Sequence, residues 1–300
     1  MLYFVTDWHF RERNPERRLG NYLGDMVDKL QQFCALLAKG DVVLCGGDLF
    51  DAPNVGDKVL AIVVEAIATC PARWGFVAGQ HDVIGHNLGT VNRCSLGVVL
   101  ALPNCRLLTA ASWSLPEYQV SGRNWGCWGD EPMWFEDSRK RILVAHAPIT
   151  ASPQVFTSLV AGTLDVDADL VLCGDIHQGL PFGTHTRNGI LLVNPGSTAR
   201  KSIIDANRVP KALSLWYDDK ASWQFQEHPL SQRIGQEVFD LQTAAIDKQA
   251  ERQRDAWVTS VQAVSERTGL PEDPAQLVEK VGMELGKSQA VINHMKERVQ

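Results

Sequence analysis

Short, continuous apolar runs recur along the first two-thirds of the chain, and most of them end at a polar cluster. Residues 2–6 read as a buried strand, followed by a polar loop carrying Arg11, Arg13, Arg17 and Arg18. Residues 21–38 place Leu23, Met26, Val27, Leu30, Phe33 and Leu37 at helical spacing, and Gly40 offers a stop. Val42 to Cys45 predicts a second strand, closed by Gly46-Gly47. Residues 55–70 predict a second helix ending before Pro71, and Phe76 to Ala78 a third strand. Strands that are apolar throughout, alternating with helices, predict βαβ units whose parallel strands are buried on both faces. Ligands collect outside the carboxyl ends of such strands.

The pattern changes after residue 105. Residues 105–128 read as short strands, with Ser121-Gly122-Arg123-Asn124 as a turn between 118–120 and 125–128. Runs at 142–145, 170–173 and 190–193 predict three more buried strands, the last preceded by the turn Arg187-Asn188-Gly189. Residues 212–217 and 222–227, joined by Asp218-Asp219-Lys220, predict a hairpin. The expected architecture is α/β: two packed mixed sheets flanked by helices. From about Gln236 the spacing turns helical, with a Gly-Leu-Pro-Glu-Asp-Pro break at 269–274, which predicts a helical appendage built as an αα-hairpin. The division expected is a domain over 1–230 and a helical region over 231–300.

Composition narrows the picture in three ways. With 45% hydrophobic and 21% charged residues among 300, the chain can bury a large core. The net charge of −6 argues against a basic coat, though a local basic stripe on an acidic protein still serves nucleic acid. Seven scattered cysteines without a CxxC spacing argue against a disulfide framework and predict a reducing compartment. The apolar N-terminus runs into Asp7 without a cationic region, and the longest apolar stretch, 59–68, is broken by Glu65. The expectation is a cytoplasmic protein.

Five clusters fall at strand ends: Asp7-Trp8-His9, Gly47-Asp48-Leu49-Phe50-Asp51, Gly79-Gln80-His81-Asp82, His146 and Asp175-Ile176-His177. Carboxylate, amide and imidazole groups suit hard or borderline divalent ions. Singly, each aspartate reads as a cap or a loop hydrogen-bonding residue. As an ordered set they predict a metal centre, and two ions sharing a bridging carboxylate suit phosphoester hydrolysis.

The order of these motifs over residues 1–200 resembles the calcineurin-like metallophosphoesterase superfamily. Asp7-Trp8-His9, Gly47 to Asp51 and Asn194-Pro195-Gly196-Ser197 resemble its SbcD-type DNA-repair nuclease branch, including phage-encoded relatives. The resemblance implies Asp7, His9 and His177 as ligands of one metal, Asp48 as the bridge, and His146, Gln80 and Asp175 as ligands of the second. It implies His81 as general acid, oriented by Asp51. Gln80 stands where the family usually has asparagine, and Asp175 where it has histidine; the extra negative charge favours Mn²⁺ or Mg²⁺ over zinc. The implied function is a two-metal phosphodiesterase acting on DNA, with an SbcC-like coiled-coil ATPase partner and a homodimer as further expectations. A hydrolase for a smaller phosphoester and a metal-poor scaffold stand beside it as alternatives.

Arg11 and Arg13 are read as phosphate contacts or as a solvated charged loop, and Arg200 and Lys201 the same way. His86 is read as a substrate contact or a surface loop residue. The tryptophans, Trp74 and Trp216 among them, are expected in the core.

Overall fold

The structure is a computed structural model of the 300-residue chain. It describes all residues except 130, 154–157, 219, 221, 232, 269–273, 285, 287 and 297–300, together with some side chains of the C-terminal helices. The elements in order are β1 (Leu2–Val5), α1 (Tyr22–Cys34), β2 (Val42–Cys45), α2 (Asp57–Thr69), β3 (Arg73–Phe76), α3 (Ser95–Leu100) and β4 (Cys105–Leu107). There follow β5 (Trp113–Ser114), β6 (Tyr118–Arg123), β7 (Lys140–His146), β8 (Ile149–Thr150), β9 (Leu159–Val160), β10 (Leu170–Gly174) and β11 (Leu191–Val193). The chain continues through β12 (Lys211–Tyr217), β13 (Trp223–Pro229), α4 (Leu241–Thr268), α5 (Pro274–Glu284) and α6 (Gln289–Lys296).

Two sheets dominate. The first runs β13-β12-β1-β2-β3-β4, and the second β11-β10-β7-β6-β5. Within them β1 to β4 are mutually parallel, as are β6, β7, β10 and β11. Alternate residues of β1 and β2 face opposite ways. Phe4 and Leu44 pack with Val144 and Leu172 between the sheets, while Tyr3, Val5, Val43 and Cys45 pack on the helix side with Met26, Phe33, Val59 and Val63. Both faces are therefore dry, which is why these strands read as continuous rather than alternating. Asn21 caps α1, its side chain accepting from Gly24 N at 3.1 Å.

Three sequence expectations need correction. Ser121 to Asn124 is no turn: β6 runs through Arg123, paired residue by residue with β7. Gly122 is there for close approach, since a Cβ on it would lie 2.5 Å from Leu108 Cβ and 2.7 Å from its carbonyl carbon. The third strand lies earlier than expected, at 73–76, because Trp74 and Gly75 pair with β4 and Val77-Ala78 already leave the sheet. Among the described residues the appendage has three helices rather than the two expected. Residues 269–273 of the expected break, and Asp219 of the expected hairpin turn, lie outside the described residues.

The chain divides into two compact units, 1–240 and 241–300. Residues 231–240 belong to the first: Phe239 is fully buried, and Asp240 N donates to Arg17 O at 2.9 Å. In the second, α4 packs on α5 and α5 on α6. No helix among the described residues is long and apolar enough to cross a membrane.

Candidate metal centre

Flush parallel register brings the clusters together. Val5 pairs with Cys45 and Gly174 with His146, so the loops after β1 and β2, and those after β7 and β10, leave their sheets side by side. Asp7 N then donates to Gly47 O, and His9 N to Asp48 O, both at 3.0 Å. Asp7, His9, Asp48 and Asp175 all have positive φ, at 52°, 48°, 50° and 83°. Left-handed backbone costs a non-glycine residue roughly 1–2 kcal/mol, so four such residues at one spot mark a site held by its surroundings.

Two groups of potential ligands share one carboxylate. On one side His9 Nε2 lies 3.0 Å from His177 Nε2 and 3.9 Å from Asp7 Oδ1, while His177 Nε2 lies 3.8 Å from the same oxygen. On the other, His146 Nε2 lies 2.7 Å from Gln80 Oε1 and 3.7 Å from Asp175 Oδ1. Gln80 reaches with its longer side chain and also donates through Nε2 to Asp175 Oδ1 at 2.8 Å. Between the two, Asp48 Oδ2 lies 3.7 Å from His9 Nε2 and 3.6 Å from His146 Nε2. That oxygen is buried and has no hydrogen-bond partner among the described residues. A buried carboxylate oxygen without a donor is costly, and a shared divalent ion supplies what it lacks. The donor set therefore fits a pair of ions bridged by Asp48.

The surrounding chain fixes each ligand. Thr6 Oγ1 donates to Asp7 Oδ2 at 2.6 Å, and Asp48 Oδ1 accepts from His81 N at 2.9 Å. His146 Nδ1 donates to Gly46 O at 2.6 Å, which leaves Nε2 as the atom aimed at the site. Gly79 and Gly174 are tight against ligands: a Cβ on the first would meet Asp48 Oδ1 at 2.0 Å, and on the second Asp7 Oδ2 at 3.0 Å. Asn194-Pro195-Gly196-Ser197 clamps the His177 loop to the Asp7 loop. Ser197 Oγ donates to Asp7 O at 2.8 Å, Ser197 N to His177 O at 3.0 Å, and Asn194 Nδ2 to Ile176 O at 3.0 Å.

Charge follows burial. Desolvation pushes Asp7 and Asp175 up and His9 and His177 down, His177 to about 4, so both imidazoles are neutral as ligands must be. Burial opposes charge on Asp48 and His146 too, but their mutual attraction outweighs it. Asp48 is held below the usual carboxylate range and His146 up at about 10, so a metal at His146 Nε2 would have to displace a proton that the two ligands on the other side do not carry. Asp82, which sequence reasoning left without a role, is buried and pushed up to about 7 by desolvation and by Asp48. It accepts from Gly79 N at 2.9 Å and Phe50 N at 3.1 Å, bracing two ligand loops.

His81 is half-buried, with Nδ1 3.0 Å from the main-chain carbonyl of Asp51. The expected carboxylate contact is replaced by this peptide contact, because the Asp51 carboxylate is engaged elsewhere. Its Oδ2 accepts from Arg11 at 2.7 Å; its Oδ1 lies 2.5 Å from Lys201 Nζ and 3.3 Å from His9 Nδ1. Arg11 and Lys201 thus stand at the His9 side of the centre. Arg13 and His86 are exposed, and the His86 ring meets that of Trp125, which in turn meets that of His146. Arg200 is fully buried, donating to Arg208 O at 3.3 Å and to Ser231 Oγ at 3.2 Å, a framework role. Lys201, read from the sequence as a phosphate contact or a solvated loop residue, stands at the site. Asp82 and Trp125 were given no role by the sequence, and their neighbours across the fold place them beside it.

Residues 2–179 match the model of a family described as calcineurin-like phosphoesterase. A search of curated proteins finds no significant match. Among solved structures, one is similar over 77% of this chain and 98% of its own, at 14% identity and TM-score 0.45. The NAD nucleotidase NadN of Haemophilus influenzae is similar over 76% of this chain, at 14% identity and TM-score 0.43, and the match spans 49% of NadN.

Proposed function

The chain belongs to the calcineurin-like phosphoesterase family, phosphoester hydrolases that normally bind two divalent metals, and from that premise we propose a phosphodiesterase acting on DNA, a nuclease of SbcD type. The observation that carries the two-metal part is Asp48 Oδ2, buried, without a hydrogen bond, and between two imidazoles of separate clusters. Asp7, His9 and His177 would hold one ion, and Gln80, His146 and Asp175 the other. The oxygen-rich second set favours Mn²⁺, with Mg²⁺ next. Bound ions of this kind polarise a phosphoryl oxygen and lower the pKa of water.

The chain's own groups do the rest. Arg11 and Lys201 can turn from Asp51 to a non-bridging phosphate oxygen, each exchanging one charge-assisted contact for another. The peptide carbonyl of Asp51 accepts from Nδ1 of His81, so in the imidazolium form the free Nε2–H is the group that hands its proton to the departing oxygen, leaving the neutral ring with its proton on Nδ1. A diester fits this cationic rim, because a strand offers a second phosphate beside the one at the centre. An SbcC-like ATPase partner and a homodimer belong to the same proposal.

The test is degradation of linear DNA in Mn²⁺ by the wild type and by His81→Ala. The expected result is Mn²⁺-dependent cleavage that falls about 10²–10⁴-fold in the variant. Hydrolysis of bis(p-nitrophenyl) phosphate without cleavage of DNA would replace the nuclease by a small-ester hydrolase. A protein that binds no Mn²⁺ and cleaves neither DNA nor the small diester would leave the scaffold reading.

A further inference from the structure

Trp125 does not behave as the other tryptophans near the centre do. Trp8 and Trp74 are fully buried in the helix-side core. Trp125 is partly buried and joins none of the three apolar clusters found among the described residues. Its ring neighbours are two imidazoles, each with centroids 6.1 Å away: His146 at an interplanar angle of 62° and His86 at 80°. This indole belongs to no apolar core and leaves part of its surface open beside a candidate metal-ligand histidine.

Its place is rigidly set. Trp125 N donates to Ala78 O at 2.9 Å, directly before the Gly79-Gln80-His81 loop. The buried Asn124 side chain accepts from Ala78 N at 2.6 Å and donates to Leu108 O at 3.0 Å. Gly85 and His86 both have φ of 58°, a double left-handed step that carries the exposed imidazole to the edge of the indole. A fixed ring loses little entropy when a ligand lies on it.

We propose that Trp125, with His86 beside it, is a stacking corner for the nucleobase next to the scissile phosphate. The inference rests on the nuclease reading and adds the substrate's form and direction. A base must be unpaired or frayed to offer its face, so the ligand is a single-stranded segment. Arg11 and Lys201 stand at His9, and Trp125 stands at His146. The strand therefore crosses the centre with a phosphate toward the first and a base toward the second.

The experiment is equilibrium binding of a fluorescently labelled short oligothymidylate, and of the same backbone made abasic, read by anisotropy on the full-length protein in chelator. Wild type is expected to prefer the base-bearing strand by roughly tenfold, the scale of one base–aromatic stack. Trp125→Ala should abolish that preference, and Trp125→Phe should keep most of it. Equal binding of the two strands by wild type, no binding of either, or a preference intact in Trp125→Ala would overturn the proposal. Circular dichroism and metal content of each variant separate loss of the stack from loss of the fold or of the His146 site. A Trp125-dependent base preference in a protein that cuts no nucleic acid would remove the nuclease reading and leave the stack; cutting without base preference would do the reverse.

Discussion

At the scale of single residues, Asp48 divides its work between its two oxygens. Oδ1 accepts from His81 N, tying the proposed bridge to the loop of the proposed general acid, while Oδ2 has no donor among the described residues. Replacing it by asparagine would put an NH₂ or a poorer oxygen between His9 and His146. Asp48→Asn is therefore expected to weaken both metals by more than the about 10–100-fold typical of outer partners. Calorimetric titration that still finds two tight sites would sink the bridging role. Asp82 makes a different prediction. Its folded pKa, about 7, is above the ordinary 3.8, so its protonated form is the one the fold favours. The stability it contributes is complete below about pH 4 and is lost as pH rises through 7. Metal-free protein should thus lose stability between those values, and Asp82→Asn should flatten that slope in denaturant titrations. Metal that neutralises Asp48 should flatten it as well.

At the scale of elements, the strands and the first two helices were legible because each is a short apolar run with one period. Phe4, Val43 and Leu44 needed only their neighbours in sequence. The glycines were not legible, because turn glycines and close-packing glycines look alike along a chain. Gly122 is the second kind, and the apparent turn at 121–124 dissolves into β6. Gly122→Ala should accordingly cost about 1–3 kcal/mol, as overpacking does. Gly162→Ala, with nothing within 4 Å of its Cβ position and no positive φ, should stay within about 0.5 kcal/mol. Urea midpoints of the two variants that fail to separate would refute this distinction. The partners of Asp51 were illegible for a related reason. Sequence spacing places it near His81, but only the fold brings Lys201, from beyond the last ligand, onto its carboxylate.

At the scale of the whole molecule, the proposed ligands come from both layers. Asp7, His9, Asp48 and Gln80 follow strands of the first sheet, while His146 ends a strand of the second and Asp175 and His177 follow another. Metal that binds only the folded arrangement stabilises it by mass action, by about 4 kcal/mol at a thousandfold excess over Kd. Chelation is expected to lower Tm by several degrees, and Asp48→Asn to abolish that difference. A Tm indifferent to chelator would argue that the sheets close without help from the centre.

The same division of ligands makes the centre a rivet through two plates. Remote from it, the plates adhere by apolar side chains that tolerate small slippage; at the rivet, a displacement of one sheet against the other changes distances between donors directly. Local loosening should then begin at the mouth of the sandwich. Amides after Cys45 and Cys173 would exchange with solvent faster in chelator, while those of Phe4 and Val144 keep their protection.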